Sequence, residues 1–319
     1  MPDDLSTAPL LDPRKFQNPD ITIDGTERAV VGLTHLRTLW FNTGTLCNLT
    51  CLDCYIESSP TNDGLAYLSK AEVVSYLDEI ETTGLKVEEI AFTGGESFMN
   101  PNIMAMVEVS LERGFDVLVL TNAMKPMQYK KQQLLMLKER FGGKLSLRIS
   151  IDHYTPARHE ELRGKDSWQR MIDGLTWAAE NDLNIAAAGR ARWGENEADV
   201  RAAYAQLFDE LMIDIDADDP LALVLFPEMN KGLDVSEITV ACWDLLGVRP
   251  DTMMCATSRM IVKRKGAESP VVTPCTLLPY DTQFELGHGL SEAAKSVKLN
   301  HPHCARFCVL GGGSCSVAD

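Results

Sequence analysis

Three of the nine cysteines in this 319-residue chain lie close together: Cys47, Cys51 and Cys54, in the arrangement C-x3-C-x2-C. A structural zinc ion normally takes four protein ligands, and no fourth cysteine or histidine lies nearby in the sequence. Three thiolates suit a cubane 4Fe-4S cluster that keeps one iron open, because thiolates are the usual protein ligands of such clusters. The spacing therefore favours iron-sulfur chemistry, with half of a zinc site and chance clustering of core cysteines as the alternatives.

The charge balance and the N-terminus restrict the possible partners. Asp and Glu (46) outnumber Lys and Arg (30), so the formal charge of -16 disfavours binding to a nucleic acid backbone. The start of the chain, MPDDLSTAPLLDPRKF, lacks a secretion signal, and no apolar run approaches the roughly 18 residues of a membrane span. We expect a soluble cytoplasmic protein without nucleic acid or membrane partners, in which cysteines are metal ligands, reactive thiols or buried apolar residues.

Alternating apolar strands and amphipathic helices must position these cysteines. Strands are predicted at 36–41, 88–92, 115–120, 144–151, 183–191 and 221–226. Helices are predicted at 68–84, 102–114, 127–140, 166–181 and 197–212, with a capping box at Ser69 and Glu72. The repeated strand-helix units predict an α/β fold with a parallel sheet, either an open doubly wound sheet or a barrel. The cysteine set follows the first strand, where such folds place ligand sites.

The stretch C47-N-L-T-C51-L-D-C54-Y55 resembles the cluster motif of radical S-adenosylmethionine (SAM) enzymes. In that family the open iron is chelated by the amino and carboxylate groups of SAM, and one-electron reduction cleaves SAM to a 5'-deoxyadenosyl radical. The resemblance implies SAM contacts from Asp53 and Tyr55. Asp53 departs from the family pattern, because the position before the third cysteine is commonly aromatic.

A second motif follows the second predicted strand. Thr93-Gly94-Gly95-Glu96 resembles the family's GGE motif, which contacts the SAM amino group. Two glycines let the backbone approach a ligand, and a carboxylate suits an ammonium group. A G-G-x turn after a strand is common and is weak evidence by itself. The cysteine set one strand-helix unit earlier is what supports its interpretation as a GGE motif.

Polar residues at later strand ends extend the resemblance. It implies that Asn122, Ser150 and Asp152 lie near SAM and that Arg163 or Arg190 reaches the SAM carboxylate. The alternatives are ordinary polar residues at strand ends and, for Arg163, a charge that caps a helix. The resemblance covers residues 36 to about 230 and implies the family's partial (β/α)6 TIM-like barrel.

The C-terminal part of the chain carries a second group of cysteines: Cys255, Cys275, Cys304, Cys308 and Cys315. Cys255 and Cys275 flank two short predicted strands around RKGAE, a hairpin that would bring them together. The group resembles the twitch or shortened SPASM module, which binds auxiliary iron-sulfur clusters.

The number of cysteines predicts one auxiliary 4Fe-4S cluster in this module, because such a cluster takes four thiolates. Cys255, Cys275 and Cys315 are its favoured ligands, with Cys308 ahead of Cys304 for the fourth position. Cys242 is interpreted as a buried apolar thiol. Zinc is the competing metal, because it also takes four thiolates. The histidines of this region, His288, His301 and His303, are interpreted as surface or loop residues rather than ligands.

These features predict three segments: an N-terminal extension with a hairpin at 1–35, the radical SAM partial barrel at 36–231, and the auxiliary module at 232–319. The expected function is a radical SAM enzyme that abstracts hydrogen from a small molecule or a peptide, with a flavodoxin- or ferredoxin-type electron donor. The outcome would be an oxidation, a rearrangement or a crosslink, and no catalytic acid or base stands out.

Two alternatives to this function remain open. One is a peptide maturase of the SPASM type, although the few residues that precede the barrel modestly favour a small molecule. The other is an iron-sulfur electron carrier or scaffold without catalysis, for which an ammonium-binding motif beside an open-iron cysteine set has no use.

Overall fold

Ten strands and nine α-helices make up the part of the chain that the structure, a computed structural model, describes: residues 9–227 and 230–314. The strands are β1 Val30–Val31, β2 Thr38–Asn42, β3 Glu89–Thr93, β4 Asp116–Thr121, β5 Leu145–Asp152, β6 Asn184–Ala191, β7 Leu223–Pro227, β8 Ser258–Val262, β9 Val271–Thr273 and β10 Val297–Lys298. The helices are α1 Lys70–Thr83, α2 Ile103–Glu112, α3 Lys125–Gln128, α4 Lys131–Phe141, α5 Pro156–Arg163, α6 Ser167–Glu180, α7 Glu197–Glu210, α8 Cys242–Leu246 and α9 Met254–Thr257.

The six predicted strands are present and pair in sequence order. β2 to β7 are all parallel to their neighbours, and helices connect each strand to the next. This arrangement confirms the partial (β/α)6 barrel. Helix α5, between β5 and α6, was not predicted, because its eight residues (PARHEELR) contain few apolar positions. All six strands end at the same edge, so the loops that follow them meet there.

The two faces of the sheet are buried against different partners. Leu39, Phe41 and Ile90 belong to the core beneath the helices, whereas the alternate residues Trp40 and Ala91 belong to a second core shared with the C-terminal residues. Burying one large apolar side chain stabilises a fold by roughly 1.5–3 kcal/mol. The strands are therefore held from both sides, which explains their nearly continuous apolar sequences.

The start of α1 follows the predicted capping pattern. The Glu72 backbone N–H donates to the Ser69 hydroxyl, and the Glu72 carboxylate accepts from the Ser69 backbone N–H at 2.8 Å. Gly84 ends the helix in the left-handed conformation, with a φ of 67°. The loop after β2 is thereby followed by a helix with a well-defined first turn.

The C-terminal hairpin is present and continues the barrel sheet. β8 pairs with β9 in antiparallel fashion, as predicted, but it also pairs in parallel with β2, from Thr38↔Ser258 to Phe41↔Ile261. Sequence reasoning missed this second pairing, because β8 follows the four-residue α9 rather than a helix of barrel length. The hairpin that Cys255 and Cys275 flank is thus hydrogen-bonded to β2, the first barrel strand.

The N-terminal extension packs on the C-terminal residues. The predicted hairpin is reduced to one bridge, Ile21↔Glu27, and β1 pairs instead with β10. The fully buried Arg28 guanidinium forms an ion pair with Glu237 at 2.6 Å, which links the N-terminal extension to the segment between β7 and α8. The predicted segment boundaries stay a prediction.

Within the described residues, the helices lack the combination of length and apolar character that crossing a lipid bilayer requires.

Candidate active site and auxiliary metal centre

One cavity at the carboxyl edge of the barrel contains nearly all the residues predicted to bind SAM and the first cluster. Its lining includes Cys47, Cys51, Asp53, Cys54, Tyr55, Thr93, Gly94, Gly95, Asn122, Ser150, Asp152, Arg163 and Arg190. The apolar side chains that complete this wall are Ile56, Leu120, Ala188 and Phe226, none of which the sequence reasoning named. Most of these residues lie in the cysteine loop or near the carboxyl end of a barrel strand, where the topology brings them together, whereas Arg163 is the last residue of α5.

The cysteine loop is tied to the second half of the barrel. The Leu52 N–H donates to the carbonyl of Leu162 at 2.7 Å, and Arg190 donates to the Leu52 carbonyl at 3.4 Å. Asp53 forms an ion pair with Arg192 and has a φ of 52°, a conformation that Asp tolerates better than most residues. This pairing gives a physical reason for Asp at a position where the family commonly has an aromatic residue.

Burial disfavours the thiolate forms of Cys47 and Cys51. It raises the pKa of Cys47 to about 12, and it also raises the pKa of Cys51. The thiols are therefore neutral unless a positive charge stabilises the thiolates. Bound iron supplies that charge, because a coordinating thiol loses its proton to the metal. The Leu49 backbone N–H approaches the Cys47 sulfur at 3.4 Å and would support a thiolate there.

The two glycines of the GGE motif lie against the cysteine loop. A Cβ on Gly95 would lie 2.3 Å from the carbonyl oxygen of Leu46, and one on Gly94 would lie 2.5 Å from that of Gly44. The Gly95 N–H donates to the Gly44 carbonyl at 2.8 Å, so the approach is also hydrogen-bonded. The motif thus supports the loop that leads into Cys47, in addition to lining the cavity.

Replacing Gly95 by alanine is expected to displace the cysteine loop, because the new methyl group meets the Leu46 carbonyl and not a flexible side chain. We expect the iron bound after anaerobic reconstitution to fall by about half, from about eight to about four Fe per chain. Gly143→Ala is the matched control, since nothing lies within 4 Å of a Cβ at that position. Iron content equal to that of the control would contradict this role of Gly95.

Of the residues predicted to bind SAM, Glu96 is the one that does not line this cavity. Its carboxylate is buried and accepts from the Thr121 hydroxyl and the Asn122 backbone N–H, both at 2.8 Å, and from the Phe98 N–H at 3.1 Å. Burial raises its pKa, and these donors oppose that rise. Glu96 therefore connects the loops after β3 and β4, and its contact with an ammonium group stays a prediction.

Asp152 and Arg163 form a buried bidentate pair in the cavity wall, with Nε–Oδ2 and Nη2–Oδ1 distances of 2.6 and 3.2 Å. Burial by itself raises the pKa of Asp152, but the positive charges nearby, Arg163 foremost and Arg190 after it, together lower the pKa. Asp152 also has a φ of 60°, and its position at the end of β5 coincides with an irregular register against β6. The pair places a cation beside the cysteines, with Cys47 and Cys51 both within its electrostatic reach.

A second, apolar cavity collects the auxiliary cysteines. Cys255, Cys275, Cys304 and Cys308 line it together with Met253, Met254, Pro274, Leu278, Val297 and Leu299. Cys304 and Cys308 come from a π-helical turn, Cys304–Val309, whose geometry sequence patterns do not reveal. Cys315 lies outside the described residues. Cys242 is half-buried rather than buried, because α8 sits at the surface, and it lies outside this cavity.

The geometry of these sites bears on the choice of metal. Across residues 9–227 and 230–314, no three His, Cys, Asp or Glu side chains converge as closely as one metal ion would require. A cubane cluster spreads its thiolates over separate irons, so its ligands need not converge on one point. The arrangement is compatible with clusters at both places.

The fold and the cysteine loop together indicate an enzyme that uses an iron-sulfur cluster above the carboxyl edge of a parallel partial barrel. The family model of the radical SAM superfamily matches residues 41–207, more than half of the chain, and the protein belongs to that superfamily. Members of the family bind SAM and a 4Fe-4S cluster, so these cofactors are established for the chain as well.

The curated relatives share parts of the chain. The antilisterial bacteriocin subtilosin biosynthesis protein AlbA of Bacillus subtilis is 33% identical over 119 residues, which cover 37% of this chain and 25% of AlbA. The GTP 3',8-cyclase of Streptomyces coelicolor is 28% identical over 144 residues, or 43% of this chain and 39% of the cyclase. The chain thus spans between a quarter and two fifths of the length of these relatives.

A solved structure supports the fold. Streptococcus suis SuiB bound to S-adenosylmethionine superposes with a TM-score of 0.57 over 80% of this chain and 63% of SuiB, at 13% identity. SuiB has also been solved with its precursor peptide SuiA, and that structure gives a TM-score of 0.54. At this level of identity the likeness concerns the fold alone.

Proposed function

We propose that the protein is a radical SAM enzyme that oxidises or crosslinks a peptide, assisted by one auxiliary 4Fe-4S cluster. The observation that carries this proposal is the three-cysteine loop at the open edge of the barrel, one ligand short of a closed metal site. Cys47, Cys51 and Cys54 hold the first cluster, and SAM completes its coordination. When bound, the cluster and SAM supply one-electron reduction and hydrogen-atom abstraction.

The residues of the cavity bind and orient SAM. Thr93, Gly94 and Gly95 present backbone groups at close range, because the glycines carry no side chains. Arg163 and Arg190 supply positive charge for the SAM carboxylate, and Asp152 holds Arg163 in place. The apolar side chains among the lining residues exclude water, which protects a reactive species from quenching.

The auxiliary cluster is assigned to Cys255, Cys275, Cys304 and Cys308. Support comes from their shared cavity, which is lined otherwise by apolar side chains and a proline. Cys304, which spacing ranked behind Cys308, is included because it lines this cavity, whereas Cys315 lies outside the described residues. Iron analysis distinguishes a 4Fe-4S cluster from a zinc ion, which four thiolates can also bind.

The proposed substrate site is a groove that leads from the SAM cavity to the auxiliary module. Two adjoining cavities share Tyr55, Glu57, Lys231 and His303 in their walls, and the outer one reaches Tyr280. The Nδ1 atom of His303 is buried and has no hydrogen-bond partner among the described residues. The two histidines interpreted from sequence as loop residues, His301 and His303, therefore belong to this groove.

The charges of the groove favour a peptide over a nucleoside triphosphate. Of the described residues in its walls, Lys231 is the one Lys or Arg, and it is paired with Glu57 at 2.8 Å. The walls also contain the carboxylates of Asp53 and Asp281. A triphosphate would face more negative than positive charge there. AlbA acts in bacteriocin biosynthesis and SuiB binds a precursor peptide, which agrees with a peptide substrate.

A nucleotide-like small molecule is the second candidate, because the GTP 3',8-cyclases and an S-adenosylmethionine-dependent nucleotide dehydratase are also similar to this chain. Its phosphates would have to form ion pairs with Arg163 and Arg190 in the SAM cavity.

The experiment is an anaerobic assay of the reconstituted protein with SAM and dithionite. Peptides encoded beside its gene and GTP are offered separately, and 5'-deoxyadenosine and substrate mass are followed. A peptide that raises 5'-deoxyadenosine formation and loses hydrogen supports the proposal. If GTP stimulates 5'-deoxyadenosine formation and the peptides do not, the result favours the second candidate. If no 5'-deoxyadenosine forms although the clusters are intact, both candidate functions are refuted.

A further inference from the structure

Arg259 is a buried arginine without a carboxylate partner. It lies in β8, four residues after Cys255, and none of its surface is exposed. Its guanidinium donates to four backbone carbonyls: Nε to Ala293 at 2.8 Å, Nη1 to Cys255 at 2.6 Å and Ser258 at 2.7 Å, and Nη2 to Lys295 at 3.0 Å. No acidic side chain of the described residues forms an ion pair with it.

This arrangement leaves a full positive charge in the protein interior. Neutral carbonyls satisfy the hydrogen bonds of a guanidinium but do not cancel its charge, and an uncompensated buried charge is strongly unfavourable. The acidic groups that act on Arg259 electrostatically are the thiols of Cys255 and Cys275, both in the wall of the auxiliary cavity. Neutral thiols cannot balance a guanidinium, whereas metal-bound thiolates can.

We propose that Arg259 is a positioning residue that compensates the negative charge of the auxiliary cluster and raises its reduction potential. The proposal rests on the assignment of that cluster in the proposed function. A cubane with four thiolates is negatively charged, and reduction adds one more electron to an apolar cavity. A fixed cation nearby stabilises the reduced form more than the oxidised form, so the midpoint potential becomes less negative.

The hydrogen bonds of Arg259 suggest a second, merely structural role, in which it joins β8 to the segment 293–295. Glutamine keeps part of the hydrogen bonding and removes the charge, whereas lysine keeps the charge and loses the planar fork. The two substitutions therefore separate charge from geometry.

The test uses full-length protein in which Cys47, Cys51 and Cys54 are alanine, so that the auxiliary cluster is the one observed. Arg259, R259K and R259Q versions are reconstituted with iron and sulfide, iron is counted, and the midpoint is measured by dithionite titration followed by electron paramagnetic resonance. R140Q is the control, because Arg140 is half-exposed and pairs with Glu108 and Glu112 at the surface.

We expect the R259Q midpoint to be more negative than that of the parent, with R259K and R140Q close to the parent. An R259Q midpoint equal to the parent's, with its iron retained, would overturn the role of Arg259 and leave the cluster assignment standing. No iron in the parent would overturn the cluster and with it this role. If R259Q does not fold, R259K decides: a retained midpoint supports charge compensation, and a lost cluster points to hydrogen bonding.

Discussion

Replacing Cys47, Cys51 and Cys54 together by alanine is expected to abolish 5'-deoxyadenosine formation and to halve the bound iron. The three side chains line one cavity, and no other thiol of the described residues is among its walls. Two 4Fe-4S clusters carry about eight Fe per chain, so the variant should retain about four. Iron analysis after anaerobic reconstitution and chromatographic detection of 5'-deoxyadenosine provide the two measurements.

The matched control for this triple variant is Cys242→Ala. Cys242 is half-buried in α8 and lines neither cysteine cavity, so its removal should leave iron content and 5'-deoxyadenosine formation at the wild-type level. An unchanged iron content in the triple variant would refute the assignment of the first cluster. Loss of all iron would instead show that the auxiliary cavity does not hold a cluster independently.

Replacing Arg163 by methionine is expected to destabilise the protein by about 3–5 kcal/mol, because it leaves the buried carboxylate of Asp152 without its partner. The side chains of Arg163 and Asp152 are only 12% and 9% exposed. Since the pair lies in the wall of the SAM cavity, SAM binding should weaken as well. Denaturant unfolding of the protein without cofactors measures the first effect, and equilibrium binding of SAM to the reconstituted protein measures the second.

The destabilisation by R163M should depend on pH in a defined direction. In the wild type the pKa of Asp152 is lowered, so the stability it contributes is present above its unfolded-state pKa and is lost as the pH falls through the folded-state value. In R163M the carboxylate of Asp152 is still buried but has lost its cationic partner, so its pKa should rise above the unfolded-state value. The penalty should then be largest near about pH 7 and shrink toward about pH 4.

The double variant D152N/R163M provides the control for the pair. It removes both charges, so it should recover part of the stability lost in R163M, and its stability should lose the pH dependence assigned to Asp152. If R163M is as stable as the wild type at neutral pH, the result would contradict the structural importance of this pair.

Motifs in the sequence point to several site residues, but not always to the contacts that these residues make. Gly94 and Gly95 were expected near SAM and do line the cavity, yet they also pack against the carbonyls of the cysteine loop. The Glu96 carboxylate, whose contact with an ammonium group stays a prediction, also accepts hydrogen bonds from Thr121 at the end of β4 and from Asn122 in the loop after it. A motif identifies which residues matter locally, whereas their hydrogen-bond partners come from other loops.

The alternation of strands and helices and the three-cysteine loop follow from the sequence, and the barrel class follows from the resemblance that the motifs carry. These features are local: alternating strand and helix patterns recur along the chain, and the cysteine spacing lies within one loop. Tertiary packing is what brings β8 beside β2, places Cys304 in one cavity with Cys255, Cys275 and Cys308, and buries Arg259 beside them. Each of these depends on contacts between segments far apart in the chain; the cysteine positions indicated a shared module, but not which of the cysteines line one cavity or that Arg259 is buried beside them.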